Sequence, residues 1–238
     1  MSLVVIPASV VGVIYWLDQE RFFNLDHIEI TIEKGDQRPE FLQPLVAELD
    51  HQLEKYRGQS LWHLDLAKIS AQIQDLKWIE TNYISRSWPT RLNVRVSPKQ
   101  VKLLYLSKTG EMLPVVGDGS FLNPVTAKTA PDVTLLEGPA FEGSLEMRKK
   151  AVKVISEIPC DGKFSHDQIS ELRFDTKEGF WATLIQSGIK VKIGEGNVPL
   201  KAARVSQVLE YLETRELEAR VIDANLSKKV LVRLRKDP

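Results

Sequence analysis

Between residues 25 and 98 the spacing of apolar residues switches from two to three-and-four and back to two, and that switch constrains the fold more than any other feature. Ile28, Ile30 and Ile32 alternate with His27, Glu29, Thr31 and Glu33, the pattern of a half-buried strand. After a turn at Lys34, Gly35 and Asp36 and a start at Pro39, Leu42, Leu45, Leu49 and Leu53 fall on one helical face. Gly58 is expected to stop that helix. Asp65 is expected to cap a second one, whose Leu66, Ile69, Ile73 and Leu76 repeat the stripe. Two β-patterned runs follow, residues 79–88 and 91–97, joined at Pro89 and Thr90, with Leu92, Val94 and Val96 on one face. The order is β-α-α-β-β. Trp78 and Trp88, at element ends, are read as caps on its core.

Ahead of this unit no charged residue occurs from Ser2 to Leu17, a run that ends in Tyr15 and Trp16 and meets Asp18, Glu20 and Arg21. A helix of that length spans about 24 Å, short of a hydrocarbon core of about 30 Å. A cleaved signal would carry basic residues before the run and a small-residue site after it, and neither is present. A buried core helix is the other alternative. A membrane anchor over residues 1–21, truncated at its N-terminus, is the preferred reading, with the absence of an upstream basic tail leaving its orientation unread.

From residue 99 the chain is richer in strands. Apolar runs at 101–106 and 111–116 are followed by a tight turn at Gly117-Asp-Gly119 with an aromatic re-entry at Phe121, and helices are expected over 145–158 and 200–213, the latter with Ala202, Val205, Leu209 and Leu212 inward. Between them two alternating runs joined near Ser187 and Gly188 predict a β-hairpin with Ile189, Val191 and Ile193 on one face. The last run, 225–235, sets Val230, Val232 and Leu234 against Lys229, Leu231, Arg233 and Arg235. A strand there, at a sheet edge, would leave backbone groups open to a strand from another protein. The basic residues Lys228, Lys229, Arg233, Arg235 and Lys236 would favour acidic partners, or simply keep the edge soluble.

Several chemistries find no support. Lys plus Arg and Asp plus Glu each total 32, so no positive field gathers nucleic acid. His27, His51, His63 and His166 show no metal-ligand spacing, and His63 with Asp65 lacks a nucleophile elbow. Gly194-Glu-Gly196 before a helix lacks the lysine and hydroxyl setting of a phosphate loop, so Lys201 and Arg204 gain no such role and a simple turn explains the glycines. The lone Cys160 is read as a buried, inert thiol. No catalytic residue, metal, cofactor or small-molecule substrate is expected.

The segments FFNLDHIEITIEKG and GQSLWHLDLAKISAQIQDLKWIETNYISRSWPTRLNVRVSP resemble, in order, the polypeptide-transport-associated (POTRA) domain of the FtsQ/DivIB cell-division proteins. The shared points are Gly58-Gln-Ser-Leu61, Leu64-Asp65, Trp78-Ile79 and Arg86-Ser-Trp88-Pro89. The likeness continues through LLYLSKTGEMLPVVGDGSFLNP, Leu135-Leu-Glu-Gly138-Pro139 and the hairpin with Trp181 and Gly194. It implies an α+β protein: an N-terminal transmembrane helix (1–21), a POTRA domain (22–98) and a mixed β-sheet domain with packed helices (99–238), ending in a partner-binding edge strand. It implies a non-enzymatic scaffold of the division septum, single-pass in the inner membrane with its bulk in the periplasm. FtsB/FtsL-like single-pass proteins would dock on Leu226, Ser227, Lys228, Lys229, Val230, Leu231, Val232, Arg233 and Leu234, and an FtsK-like recruiter would use the POTRA domain. Leu226 and Leu234 stand where well-known members carry aromatic residues. Because POTRA domains also serve envelope protein assembly and transport, a module of that kind is the alternative reading.

Overall fold

The structure, a computed structural model, describes residues 15–17, 19–33, 39–227 and 229–235, which divide into two compact units, Met1–Lys99 and Gln100–Pro238. Most of the expected anchor lies outside the described residues. Among the described residues no helix is long and apolar enough to cross a membrane.

The first unit runs β1 (His27–Ile32), α1 (Pro39–Glu54), α2 (Leu66–Gln74), β2 (Ile79–Ser87) and β3 (Arg91–Pro98), in a sheet ordered β1-β3-β2. β3 lies parallel to β1 and antiparallel to β2, so Ile28, Leu92 and Arg86 share one row, and Ile30, Val94 and Ile84 the next. The stripe Leu42, Leu45, Leu49 and Leu53 is buried as its spacing requires, together with Ile69 and Ile73. Asp65 caps α2, accepting from the Ala67 and Lys68 amides at 3.1 Å each. Gly58 does not terminate α1, which ends at Glu54. It serves the following turn at φ +78°, where its amide donates to the Leu25 carbonyl at 2.8 Å. Arg86 points to the helix side of the sheet and donates through Nε to the Leu61 carbonyl (2.7 Å) and through Nη2 to that of Leu64 (2.6 Å), pinning the loop between the helices. Trp78 is buried, but Trp88 is 46% exposed. It follows the last residue of β2, and a ring leaving a strand at its end finds no second layer to enter.

In the second unit, β4 (Val101–Leu106), β5 (Met112–Val116), β6 (Leu135–Glu137), β7 (Ile169–Asp175), β8 (Gly179–Leu184), β9 (Lys190–Gly194), β10 (Ala219–Asp223) and β11 (Leu231–Leu234) form one sheet ordered β11-β10-β9-β8-β7-β6-β4-β5. The parallel pairs β6/β7 and β9/β10 need crossovers, supplied by α3 (Leu145–Glu157) and α4 (Val198–Thr214). Both helices bury their apolar residues, among them Ala151, Val152, Ile155, Ala202, Val205 and Leu212, in one core with the inner face of the sheet. The β8–β9 hairpin forms as its alternation predicts, with Ile189, Val191 and Ile193 buried and Gly188 at φ +65° in the turn. Arg148 of α3 is buried, which pulls its pKa below the ordinary value. Its guanidinium donates to the carbonyls of Gly119 (2.7 Å), Phe141 (2.7 Å) and Glu142 (3.1 Å) and lies 3.9 Å from the centre of the Phe121 ring. Cys160 is exposed, not buried. It falls in a turn beyond the end of α3, where no element covers it.

Leu172→Ala, at a fully buried position of β7, is expected to cost about 2–5 kcal/mol in urea unfolding. Arg148→Lys, which replaces the planar fork with a point charge, is expected to cost about 1.5–3 kcal/mol by the same measurement.

Candidate functional site: the terminal edge strand

β11 pairs only with β10 in the sheet order, antiparallel, so its other side is a sheet edge among the described residues. Pairing runs Leu231 to Asp223, Val232 to Ile222 and Arg233 to Val221. A bulge at Arg220 then sets Leu234 opposite Ala219. Val230 and Val232 are half-buried against the core, while Leu231 and Leu234 are 50% and 49% exposed.

The expected strand over 225–235 is thus shortened to four residues, with Leu234 on the Val232 face, opposite the buried Ala219, yet half exposed at the strand end. The bulge contributes to the shortening, because the extra residue in β10 has no partner in β11 and interrupts the pairing at that end. Of the expected contact residues, Lys229, Val230, Leu231, Val232, Arg233 and Leu234 lie in or next to β11. Leu226 and Ser227 lie in the bend that leads to it, and Lys228 lies outside the described residues.

That bend is clamped. The Lys201 ammonium donates to the carbonyls of Ile193 (2.8 Å) and Glu195 (2.8 Å) and to Asn225 Oδ1 (3.0 Å), and burial lowers its pKa. Arg204 Nη1 donates to the Ser227 carbonyl at 3.0 Å, and the Asn225 amide donates to Asp223 Oδ1 at 2.9 Å. Gly194, at φ +69°, makes room: a Cβ there would run into the Asn225 side chain. At the far end of the strand the Arg235 amide donates to the Glu218 carbonyl (2.8 Å) and its guanidinium pairs with the Glu218 carboxylate (3.2 Å). On the outer face of the sheet Lys192 donates to Glu178 at 2.9 Å, stands 3.8 Å from Asp223 and lies near the Trp181 ring. The hydrogen bond to Glu178 raises the Lys192 pKa above its ordinary value.

Gly194, Lys201 and Arg204 therefore hold the last strand in place. Spacing explains Gly194 as part of a turn and gives Lys201 and Arg204 no role, since nothing in it links residue 201 to residue 225. An unexplained lysine and arginine on one helical face, three residues apart and followed by a polar bend after β10, were the signal available. Among the described residues no group of three or more His, Cys, Asp or Glu side chains is placed to hold a metal ion.

Comparison with known proteins bears on both units. Residues 46–97 match the model of the FtsQ-type POTRA domain, and residues 101–225 match that of the C-terminal region of cell division protein FtsQ/DivIB. The chain belongs to the FtsQ/DivIB family. The C-terminal match stops at Asn225, just before β11. Among relatives, the cell division protein FtsQ of Syntrophotalea carbinolica is 27% identical over 74% of this chain and 64% of its own length. That of Geotalea daltonii is 24% identical over 89% and 76%, and that of Haemophilus influenzae 24% identical over 66% and 59%. The chain thus spans between 59% and 76% of these relatives' lengths. FtsQ/DivIB proteins are non-enzymatic cell-division proteins that act in the divisome with other division proteins. The fold is accordingly a mixed α+β one, a POTRA unit with a C-terminal β domain.

Lys201→Met removes the three bonds that the lysine contributes to the clamp and leaves those of Arg204 and Asp223. Tryptic cleavage after Lys229, Arg233 and Arg235 is expected to accelerate roughly tenfold, equivalent to about 1.4 kcal/mol of local stability, while cleavage in the first unit keeps its rate.

Proposed function

We propose that this chain is a division-septum scaffold that captures FtsB/FtsL-like single-pass division proteins by adding their strand to the open edge of β11. The observation that carries the reading is that β11 ends an eight-stranded sheet with one side unpaired among the described residues. Backbone groups on that side supply main-chain hydrogen bonds to an incoming strand, and Leu231 and Leu234 supply exposed apolar surface. Lys229 and Arg233 are exposed beside them and favour a partner segment with acidic residues. The contact residues are Leu226, Ser227, Lys228, Lys229, Val230, Leu231, Val232, Arg233 and Leu234, those in the bend acting through the clamped connection to β10.

Residues 1–21 serve as the membrane anchor in this reading, 22–98 as the POTRA domain near the membrane and 99–238 as the partner-binding β domain. The bulk then lies in the periplasm at the septum, and the POTRA domain is where an FtsK-like recruiter acts. The uncharged run up to Leu17 and the division-protein relatives support that arrangement. The alternative of an envelope assembly or transport module draws on the POTRA unit alone. The division reading draws on matches to both units.

Leu231→Pro removes a backbone donor from the edge strand and forbids regular pairing there. Affinity purification of the full chain from detergent-extracted membranes is expected to retain at least tenfold less of the small coiled-coil division proteins with this variant, and likewise with Val232→Asp. Thermal unfolding of the POTRA unit is expected to stay unchanged. Equal retention by folded variants would place the contact elsewhere.

A further inference from the structure

Four aromatic side chains from three distant stretches of the first unit meet at its surface. Phe22 and Phe23 precede β1, Trp62 sits in the loop between α1 and α2, and Trp88 follows β2. Ring centres are 5.2 Å apart for Phe22–Phe23, 5.8 Å for Phe23–Trp62, 5.6 Å for Phe23–Trp88 and 4.4 Å for Trp62–Trp88. The three contacts that involve Phe23 are edge-to-face and Trp62–Trp88 is tilted at 42°, packing of a kind that large aromatic side chains make as they bury their rings. Here Phe22, Trp62 and Trp88 remain about half exposed. Contiguous exposed apolar surface on a folded unit marks a contact site.

The cluster rests on a fixed frame. The Leu61 amide donates to the Phe23 carbonyl (2.9 Å) and the Leu25 amide to the Gln59 carbonyl (2.8 Å), while Arg86 holds the Leu61 and Leu64 carbonyls on either side of Trp62. The rings are therefore presented on a rigid support.

Its place along the chain identifies what covers it. The uncharged run 2–17 ends five residues before Phe22. The Phe22 amide donates to the Leu17 carbonyl and the Glu20 amide to the Trp16 carbonyl, both at 3.0 Å. Five residues reach about 18 Å even when fully extended, so the rings stay close to the point where the apolar run ends. Tyr15 and Trp16 close that run and are themselves exposed. Indole and phenyl rings concentrate at the headgroup level of bilayers, where one end of the ring is apolar and the other wet.

We propose that Phe22, Phe23, Trp62 and Trp88 insert at the headgroup level of the phospholipid bilayer and seat the POTRA unit on the membrane surface. The proposal rests on the anchor reading of residues 1–21. Seating at a second point, beyond the tether itself, restricts how the unit can swing about its anchor.

Tryptophan fluorescence of the full chain in phospholipid nanodiscs, with a nitroxide at the lipid headgroup as quencher, tests this. Trp→Phe substitutions at the remaining indoles leave Trp16 alone, Trp62 with Trp88, or Trp78 alone, with Trp181→Phe in each set. Far-UV dichroism matching the unsubstituted chain qualifies each set, and Trp78→Tyr replaces Trp78→Phe where it does not. Trp78 serves as the control because it adjoins the opposite end of the nine-residue β2 from Trp88, about 30 Å away along the strand. The expected result is at least twofold quenching of Trp16 and of the Trp62/Trp88 pair, with Trp78 unaffected. Quenching of Trp16 with none of Trp62/Trp88 would overturn the seating and leave the anchor standing. No quenching of Trp16 either would remove the anchor and the seating together. Resistance of Trp62/Trp88 to both the lipid nitroxide and aqueous acrylamide would show the patch covered by protein, either residues 1–14 or a second copy, and would also overturn the proposal. Equal quenching of all sets, Trp78 included, would mean non-specific adsorption and would overturn it as well.

Discussion

A single row of side chains crosses all eight strands of the larger sheet: Val232, Ile222, Val191, Ala182, Leu172, Leu136, Tyr105 and Leu113 stand side by side in successive strands. The six inner members are buried almost completely, against the helices that cross from β6 to β7 and from β9 to β10. Because side chains alternate faces along a strand, a slip of one residue anywhere in this row would carry a core residue to the solvent face and a polar neighbour inward. The adjacent row shows what would enter: Glu137, Arg173, Trp181, Lys192 and Asp223, ending on Leu231 of β11. Register across the sheet is thereby locked from β5 to β11, and Val232 is where that lock reaches the last strand.

An edge strand of four residues has little of its own to hold it. Its anchorage comes from the half-buried Val230 and Val232 on one side and from restraints at both ends. Lys201 and Arg204 fix the bend before it, and Glu218 holds Arg235 after it. The restraints grip backbone carbonyls and a side-chain amide, so they orient the strand without occupying its free side. An open edge invites self-pairing as readily as capture of a partner, and exposed Lys229 and Arg233 oppose the former.

Much of this was legible in the sequence, since the elements follow from apolar spacing. The leucine stripe of α1, the Asp65 cap and the β8–β9 hairpin fall where periodicity puts them, because each depends on neighbours within a few residues. What spacing could not supply is long-range. The order of strands in the sheet depends on which crossovers pack, the bulge at Arg220 depends on the fit of β10 to β11, and the Lys201–Asn225 contact joins positions 24 apart. Trp88 and Cys160 err in the same direction: both residue types are usually buried, but each lies at an element end or in a turn where no packing layer reaches. The alternation over residues 225–235 puts a strand at the end of the chain, while its short length follows only from its pairing with β10.

The claim that β11 is the docking edge is met most directly by amide hydrogen exchange of the full chain, alone and purified with the co-expressed single-pass division proteins. The account predicts that amides of residues 229–235 exchange rapidly in the free chain and slow by at least tenfold in the complex, while those of β5, the opposite edge, are unchanged. Protection that appears at β5, or at neither edge of the sheet, would contradict it.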